Sequence, residues 1–235
     1  MRPLRVLSIC TSAGLLDKAF IDAGFTVVPG CEIKEHKRRL YEKFVGGKHV
    51  CNDLADLPNY LKNQHYDLIL GGPSCQAHTK LKAMNTPKFP DLTPLVQKLL
   101  MEVSHDAYLF ENVVPIDLAG SIHTKRNAMN YPEHYNGHVI SQSRPRWFTH
   151  SNNIQPPELK LAGSVNDLIA YPIVAGRSYG AKRGAIIQGW PEFSGLDEKT
   201  HVLQEALADG VPKSLATAWA HSVMTSLGGH TNAPS

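Results

Sequence analysis

The sequence predicts an α/β protein built on a doubly wound, mostly parallel sheet. Short apolar runs alternate with amphipathic stretches over the first half of the chain. Those runs end in turn-forming residues such as the glycines of "LILGGPSC". Acidic residues recur just beyond successive run ends, where open α/β sheets place their ligands.

Taken in order, "LRVLSI" reads as a buried strand and "CTSAG" as a turn, followed by the amphipathic helix "LLDKAFIDAGF", closed by Gly24. "TVVPGCEI" is a second strand and "KEHKRRLYEKF" a polar helix whose charges read as a solvated face. "KHVCNDL" is predicted as a third, shorter strand and "YDLIL" as a fourth. A lysine-rich, weakly patterned segment follows Cys75, then a helix "LTPLVQKLLMEV" and a fifth strand "DAYLFENV". "HVISQSRPRWFTHS" reads as a pair of short strands around a turn, and residues 151–177, rich in Pro, Asn and Gly, as a loop or miniature subdomain. "PKSLATAWAHSVMTSL" is an amphipathic helix with Pro212 at its start.

With 235 residues, 42% of them hydrophobic, the chain can bury a sizeable core. A net charge of +3 neither demands nor excludes a nucleic-acid partner. Cys10, Cys31, Cys51 and Cys75 show no C-x-x-C pairing, which argues against a zinc ribbon and for free thiols in a reducing compartment. No apolar run is long enough to span a bilayer, and "MRPLRVLSIC" lacks a signal-peptide core, so a cytoplasmic location is expected.

Several stretches carry candidate chemistry. In "GGPSCQ" the glycines permit a tight turn, Pro73 stiffens the exit, and Cys75 falls on a loop after a strand. A small buried apolar role for Cys75 is the alternative. Glu32 and Asp53 end the second and third predicted strands. An acid at the end of a second strand commonly takes ribose hydroxyls, although helix capping would also use one. "LFENVVP" sets Glu111 and Asn112 in an apolar strand, where a carboxylate needs a partner; Arg144 and Arg146 of "SQSRPRWF" alternate and could supply it, as a salt bridge or in catalysis.

In this order "SAGLLDKAF", "GCEI", "ND", "GGPSCQ", "ENV", "QSRPR" and "GVP" resemble the cytosine-C5 DNA methyltransferase family, over residues 4 to about 224. The resemblance implies a Rossmann-like S-adenosylmethionine-dependent methyltransferase fold and a flipped-out cytosine of duplex DNA as substrate. It implies that Cys75 is the nucleophile that adds to C6, that Glu111 holds a proton near N3, and that Arg144 and Arg146 orient the base. Gln76, Asn112 and Gln142 would contact substrate. The cofactor would lie against Ser12, Gly14, Leu15, Glu32, Ile33, Asp53 and Pro73, its ribose on Glu32 and its adenine near Asp53. An RNA cytosine methyltransferase and a catalytically silent DNA-binding subunit are the alternatives; a dinucleotide oxidoreductase lacks its glycine fingerprint.

The chain departs from the family at several places: Pro73-Ser74-Cys75 stands for the usual Pro-Pro-Cys, His78 for an aromatic, and "ADGVP" lacks the Asn of the usual Gly-Asn pair, for which Asp209 is a candidate stand-in. Its first turn, Cys10 to Leu15, lacks the family's aromatic residue, and Leu15 replaces a glycine. The target-recognition interval is very short: residues 1–148 are expected to form the catalytic core, 149–177 a reduced recognition segment, 178–228 the last part of the methyltransferase fold, and 229–235 a disordered tail. So few base readers imply a short recognised sequence, a specificity partner protein, or an unusual substrate.

Overall fold

The computed structural model describes residues 2–73, 90–159, 168–170 and 180–228, with the backbone alone at 168–170. The first half alternates as expected: β1 (Arg5–Ile9), α1 (Leu15–Asp22), β2 (Thr26–Cys31), α2 (Glu35–Phe44), a single turn α3 (Leu57–Tyr60), β3 (His65–Gly71), α4 (Thr93–Glu102) and β4 (Ser104–Asn112). The second half adds β5 (Ile122–Asn127), β6 (Glu133–Tyr135), β7 (His138–Gln142), β8 (Pro145–His150), β9 (Leu168–Ala170), α5 (Gly180–Ile187), α6 (Thr200–Asp209) and α7 (Lys213–Ser226).

The main sheet has the order β2-β1-β3-β4-β8-β5. Its first four strands run parallel, whereas β8 is antiparallel to both β4 and β5. Parallel strands covered on both faces read as unbroken apolar runs, and the alternation then decides which core each residue joins. Val6, Leu68, Leu70, Ala107 and Leu109 pack with residues of α1, α6 and α7, including Phe20 and Trp219. Leu7, Ile9, Ile69 and Phe110 face the other way, onto Leu57, Val96 and Leu99 of α3 and α4. The result is two apolar layers with the carboxyl ends of β1, β2, β3 and β4 brought to one edge.

Two expected elements are corrected. "KHVCNDL" forms no strand: Cys51 makes one bridge to Cys31, and its amide donates to the Gly30 carbonyl, before Asp53 turns the chain by accepting from the Ala55 amide. β7 and β8 do form, but they do not pair with each other. β7 joins β6 and β9 in a separate three-stranded sheet, and β8 enters the main sheet between β4 and β5. The turn between them places Arg144 just ahead of β8 rather than on it. Among the described residues, no helix is long and apolar enough to cross a membrane, and Cys10, Cys31 and Cys51 are free thiols.

Candidate active site

A cavity of about 450 Å³, within the range of small-molecule pockets, lies at that carboxyl edge, between the first turn and the α6–α7 junction. The first turn is held in an unusual path, with Cys10 (φ 49°) and Ser12 (φ 52°) both in the left-handed region. Two anchors keep it there. Thr11 Oγ1 lies 2.7 Å from His49 Nε2, and the Ser12 amide donates to Glu32 Oε2 at 2.9 Å. The other Glu32 oxygen accepts from the Lys34 amide at 2.9 Å. A carboxylate oxygen accepts more than one hydrogen bond, so Glu32 is fixed in place with acceptor capacity left for a ligand. Ser12 Oγ is buried without a hydrogen-bond partner among the described residues, an orphaned donor in the cavity wall of the kind a polar ligand satisfies.

Leu15 is accommodated by an exchange of volume with Gly210. It is 2% exposed and lines the cavity, and a Cβ on Gly210 would lie 2.1 Å from its Cδ1. Gly210 therefore vacates the volume that Leu15 takes. Gly14, at φ 82°, leaves no room for a side chain either, since a Cβ would meet Val45 Cγ2 at 2.4 Å. Ile33 offers an exposed apolar surface at the cavity rim and Asp53 a carboxylate nearby. Ser12, Leu15, Glu32, Ile33, Asp53 and Pro73 line this cavity, whereas Gly14 does not: it packs against Val45 and Tyr41.

The far end of the cavity is formed by β4 and β8. Glu111 is buried, and Arg146 Nε lies 2.7 Å from its Oε1. Burial pushes the Glu111 carboxyl above its ordinary value, with Asp209 adding to the rise; Arg146 and Arg144 oppose it without cancelling it. Asn112 fixes the adjacent turn: its Nδ2 donates to the Pro73 carbonyl at 3.0 Å and its Oδ1 accepts from the Val113 amide at 2.7 Å. Asn112 thereby holds the backbone two residues ahead of Cys75. Cys75 and Gln76 themselves lie outside the described residues.

Arg144 and Gln142 are placed differently from the expectation. The Arg144 guanidinium is buried and donates to the carbonyls of Ala208 and Gly210, clamping the α6–α7 junction, while burial and the neighbouring Arg146 lower its pKa to about 9. Gln142, at 2% exposure, donates to the Ile187 carbonyl at 3.0 Å and ties β7 to α5, outside the cavity wall. The turn after β7 is the physical reason: it separates Arg144 from the strand that carries Arg146 to Glu111. Sequence reading missed Lys37 and Asp17 as members of the wall, which Asp209 also joins. Lys37 sat in a run of charges that reads as solvated, yet it is 5% exposed.

The fold agrees with the comparisons. The sequence profile of the C-5 cytosine-specific DNA methylases matches residues 4–131, more than half of the chain. The chain belongs to that family. It is a cytosine-C5 methyltransferase. Solved structures of similar fold include the Entamoeba histolytica methyltransferase EhMeth, with a TM-score of 0.70 at 11% identity over 97% of this chain and 99% of that one. The Schizosaccharomyces pombe Dnmt2 methyltransferase gives 0.67 at 13% identity, covering 95% and 99%. An E. coli prophage protein described as a DNA modification methyltransferase gives 0.65 at 15% identity, covering 96% and 99%. No curated protein sequence matches the chain.

Proposed function

We propose that the chain methylates C5 of a cytosine flipped out of duplex DNA, with S-adenosylmethionine as donor. When bound, that donor supplies an electrophilic methyl group on a sulfonium. The residues present suit it: an anchored Glu32 carboxylate with spare acceptor capacity, an orphaned Ser12 hydroxyl, and the apolar Ile33 side chain around one cavity. The observation that carries the catalytic reading is the buried Glu111–Arg146 pair facing this cavity, beside the turn that Asn112 holds.

Cytosine C5 is a poor nucleophile, so the ring must first gain electrons. In the proposed reaction the Cys75 thiolate forms a bond to C6 while Glu111 gives a proton at N3, which makes C5 enamine-like. C5 would then take the methyl group as the methyl–sulfur bond of the donor breaks; a solvent base would remove the C5 proton, the C6–S bond would break to release the Cys75 thiolate, and the N3 proton would return to Glu111, restoring the aromatic ring. A carboxyl whose pKa is raised by burial takes up and holds a proton more readily than an ordinary one, which suits the N3 role. Arg146 orients Glu111 and stabilises charge on the base. Residues 1–148 and 178–228 would form the catalytic unit and 149–177 the recognition segment.

The test offers labelled donor with duplex DNA and with RNA in parallel, followed by trapping on DNA that carries 5-fluorocytosine. Fluorine cannot leave as a cation, so the wild-type chain should stay covalently bound and Cys75→Ser should not. Label in RNA alone would refute the DNA substrate, and trapping that persists in Cys75→Ser would remove the nucleophile assignment.

A further inference from the structure

A sulfonium methyl donor has three arms: an adenosyl group, the methyl, and an amino-acid chain ending in an ammonium and a carboxylate. The present inference rests on the cofactor reading above and concerns the third arm. The charges in the cavity wall are mostly committed. Asp17 accepts from the Ser8 hydroxyl at 2.7 Å and the Tyr41 hydroxyl at 2.9 Å, Glu32 holds two amides, and Asp53 holds the Ala55 amide. Among the described residues, two ion pairs have both members in the wall: Glu111–Arg146 and Lys37–Asp209.

The second pair is distinct from the Glu111–Arg146 pair, and its burial is uneven. The Lys37 side chain is 7% exposed, whereas that of Asp209 is 46% exposed. Burying an ammonium is costly unless its partners are well placed. A tie between α2 and α6 does not require that cost, since Lys34 and Glu205 already make one at 2.6 Å nearer the surface. Burial works against the Lys37 charge, yet Asp209, Glu32 and Glu205 outweigh it and hold the ammonium above its ordinary pKa. The lysine is therefore charged, sequestered and turned toward the cavity.

Its position is as informative as its charge. Lys37 and Asp209 line the same cavity as Glu32 and Glu111. With the adenosyl arm on the Glu32 and Asp53 side and the methyl directed to the base beside Glu111, the wall left for the third arm is the one carrying Lys37 and Asp209. An ammonium beside a carboxylate is the complement of an amino acid zwitterion. We propose that Lys37 receives the α-carboxylate and Asp209 the α-ammonium of the donor's amino-acid arm, making this pair the determinant of selectivity for an intact amino-acid end.

Binding measured by calorimetry tests this without turnover. The probes are S-adenosylhomocysteine, its decarboxylated analogue S-adenosyl-3-thiopropylamine, and 5′-methylthioadenosine, which lacks the whole arm. A charge-assisted hydrogen bond in a buried site should give the wild type a preference of roughly 10- to 100-fold for the ligand that keeps its carboxylate. Lys37→Met should bring the two ligands to about parity while 5′-methylthioadenosine binds as before, and Lys37→Arg should retain most of the preference. Equal affinity of the wild type for both ligands overturns the proposal, with no variant needed, and so does a full preference in a folded Lys37→Met. Failure of the wild type to bind any of the three, 5′-methylthioadenosine included, would instead remove the cofactor reading beneath it.

Discussion

The exchange of volume between Leu15 and Gly210 makes a quantitative prediction. The Gly210 backbone, at φ −82° and ψ 167°, is open to any residue, so Gly210→Ala introduces no backbone strain. Its cost is steric. The new Cβ would lie 2.1 Å from Leu15 Cδ1, 3.2 Å from Leu15 Cγ and 3.3 Å from the Ala206 carbonyl oxygen. Leu15 is 2% exposed, so it has little room to turn away. Overpacking of this kind costs about 1–3 kcal/mol. At roughly 2–4 °C per kcal/mol for a chain of this size, the melting temperature should fall by about 2–12 °C.

Leu15→Ala alone should cost about 2–5 kcal/mol, as a cavity left by a buried leucine does. In the double variant the clash is gone and the Gly210→Ala methyl fills part of the cavity, so its cost should not exceed that of Leu15→Ala alone. The coupling in a double-mutant cycle is then about 1–3 kcal/mol, well above the error expected of independent sites. Urea or thermal unfolding of the four proteins measures it. Simple additivity would refute the argument that Gly210 exists to make room for Leu15.

Three other outcomes are expected. Glu111→Gln keeps the shape of the side chain but cannot give a carboxyl proton, so turnover should fall roughly 100-fold or more with DNA affinity little changed; an unchanged rate would leave Glu111 as the structural partner of Arg146. Burial pushes the Glu133 carboxyl from 4.5 up to about 7, against hydrogen bonds from the Ser214 amide and hydroxyl. The folded chain then holds a proton that the unfolded chain releases, so this group's contribution is fully present below 4.5 and is lost as pH rises toward 7. Glu133→Gln should remove that slope in unfolding curves, and an unaltered slope would refute the assignment. Finally, methylation mapped on random duplexes should show preference over about two to four base pairs, because the 149–177 interval has room for few base-edge contacts; a strict site of six or more, read by the chain alone, would refute it.

The parallel half of the sheet was legible because burial on both faces writes itself as uninterrupted apolar runs, and "LRVLSI" and "YDLIL" need no partner to be recognised. β5 was not legible. "IHTKRN" is an edge strand that is exposed along much of its length, so tertiary pairing with β8 rather than an apolar pattern makes it a strand. The same limit applied within the site. Glu32, Asp53, Glu111 and Arg146 were found because acids and arginines stand out in apolar or turn-forming surroundings. Lys37 did not stand out among the charges of "KEHKRR", and only the packing of α2 against the cavity distinguishes it from its solvated neighbours.

Arg144 and Arg146 show what alternation alone can and cannot decide. Two residues apart in sequence, they would share a face had one strand carried both. The strand starts at Pro145, and that single boundary sends the two guanidinium groups to different tasks: Arg146 to the Glu111 carboxylate, Arg144 to the carbonyls of Ala208 and Gly210. Those carbonyls flank Asp209 in the chain, and Gly210 borders Leu15 in the first turn. A buried guanidinium thus braces the junction that presents Asp209 to Lys37 and leaves room for Leu15, while its neighbour pairs with Glu111. Replacing Arg144 with Lys would keep the charge but lose the fork that reaches both carbonyls. Its effect should therefore appear first in ligand affinity at the cofactor cavity, whereas Arg146→Lys should act first on turnover.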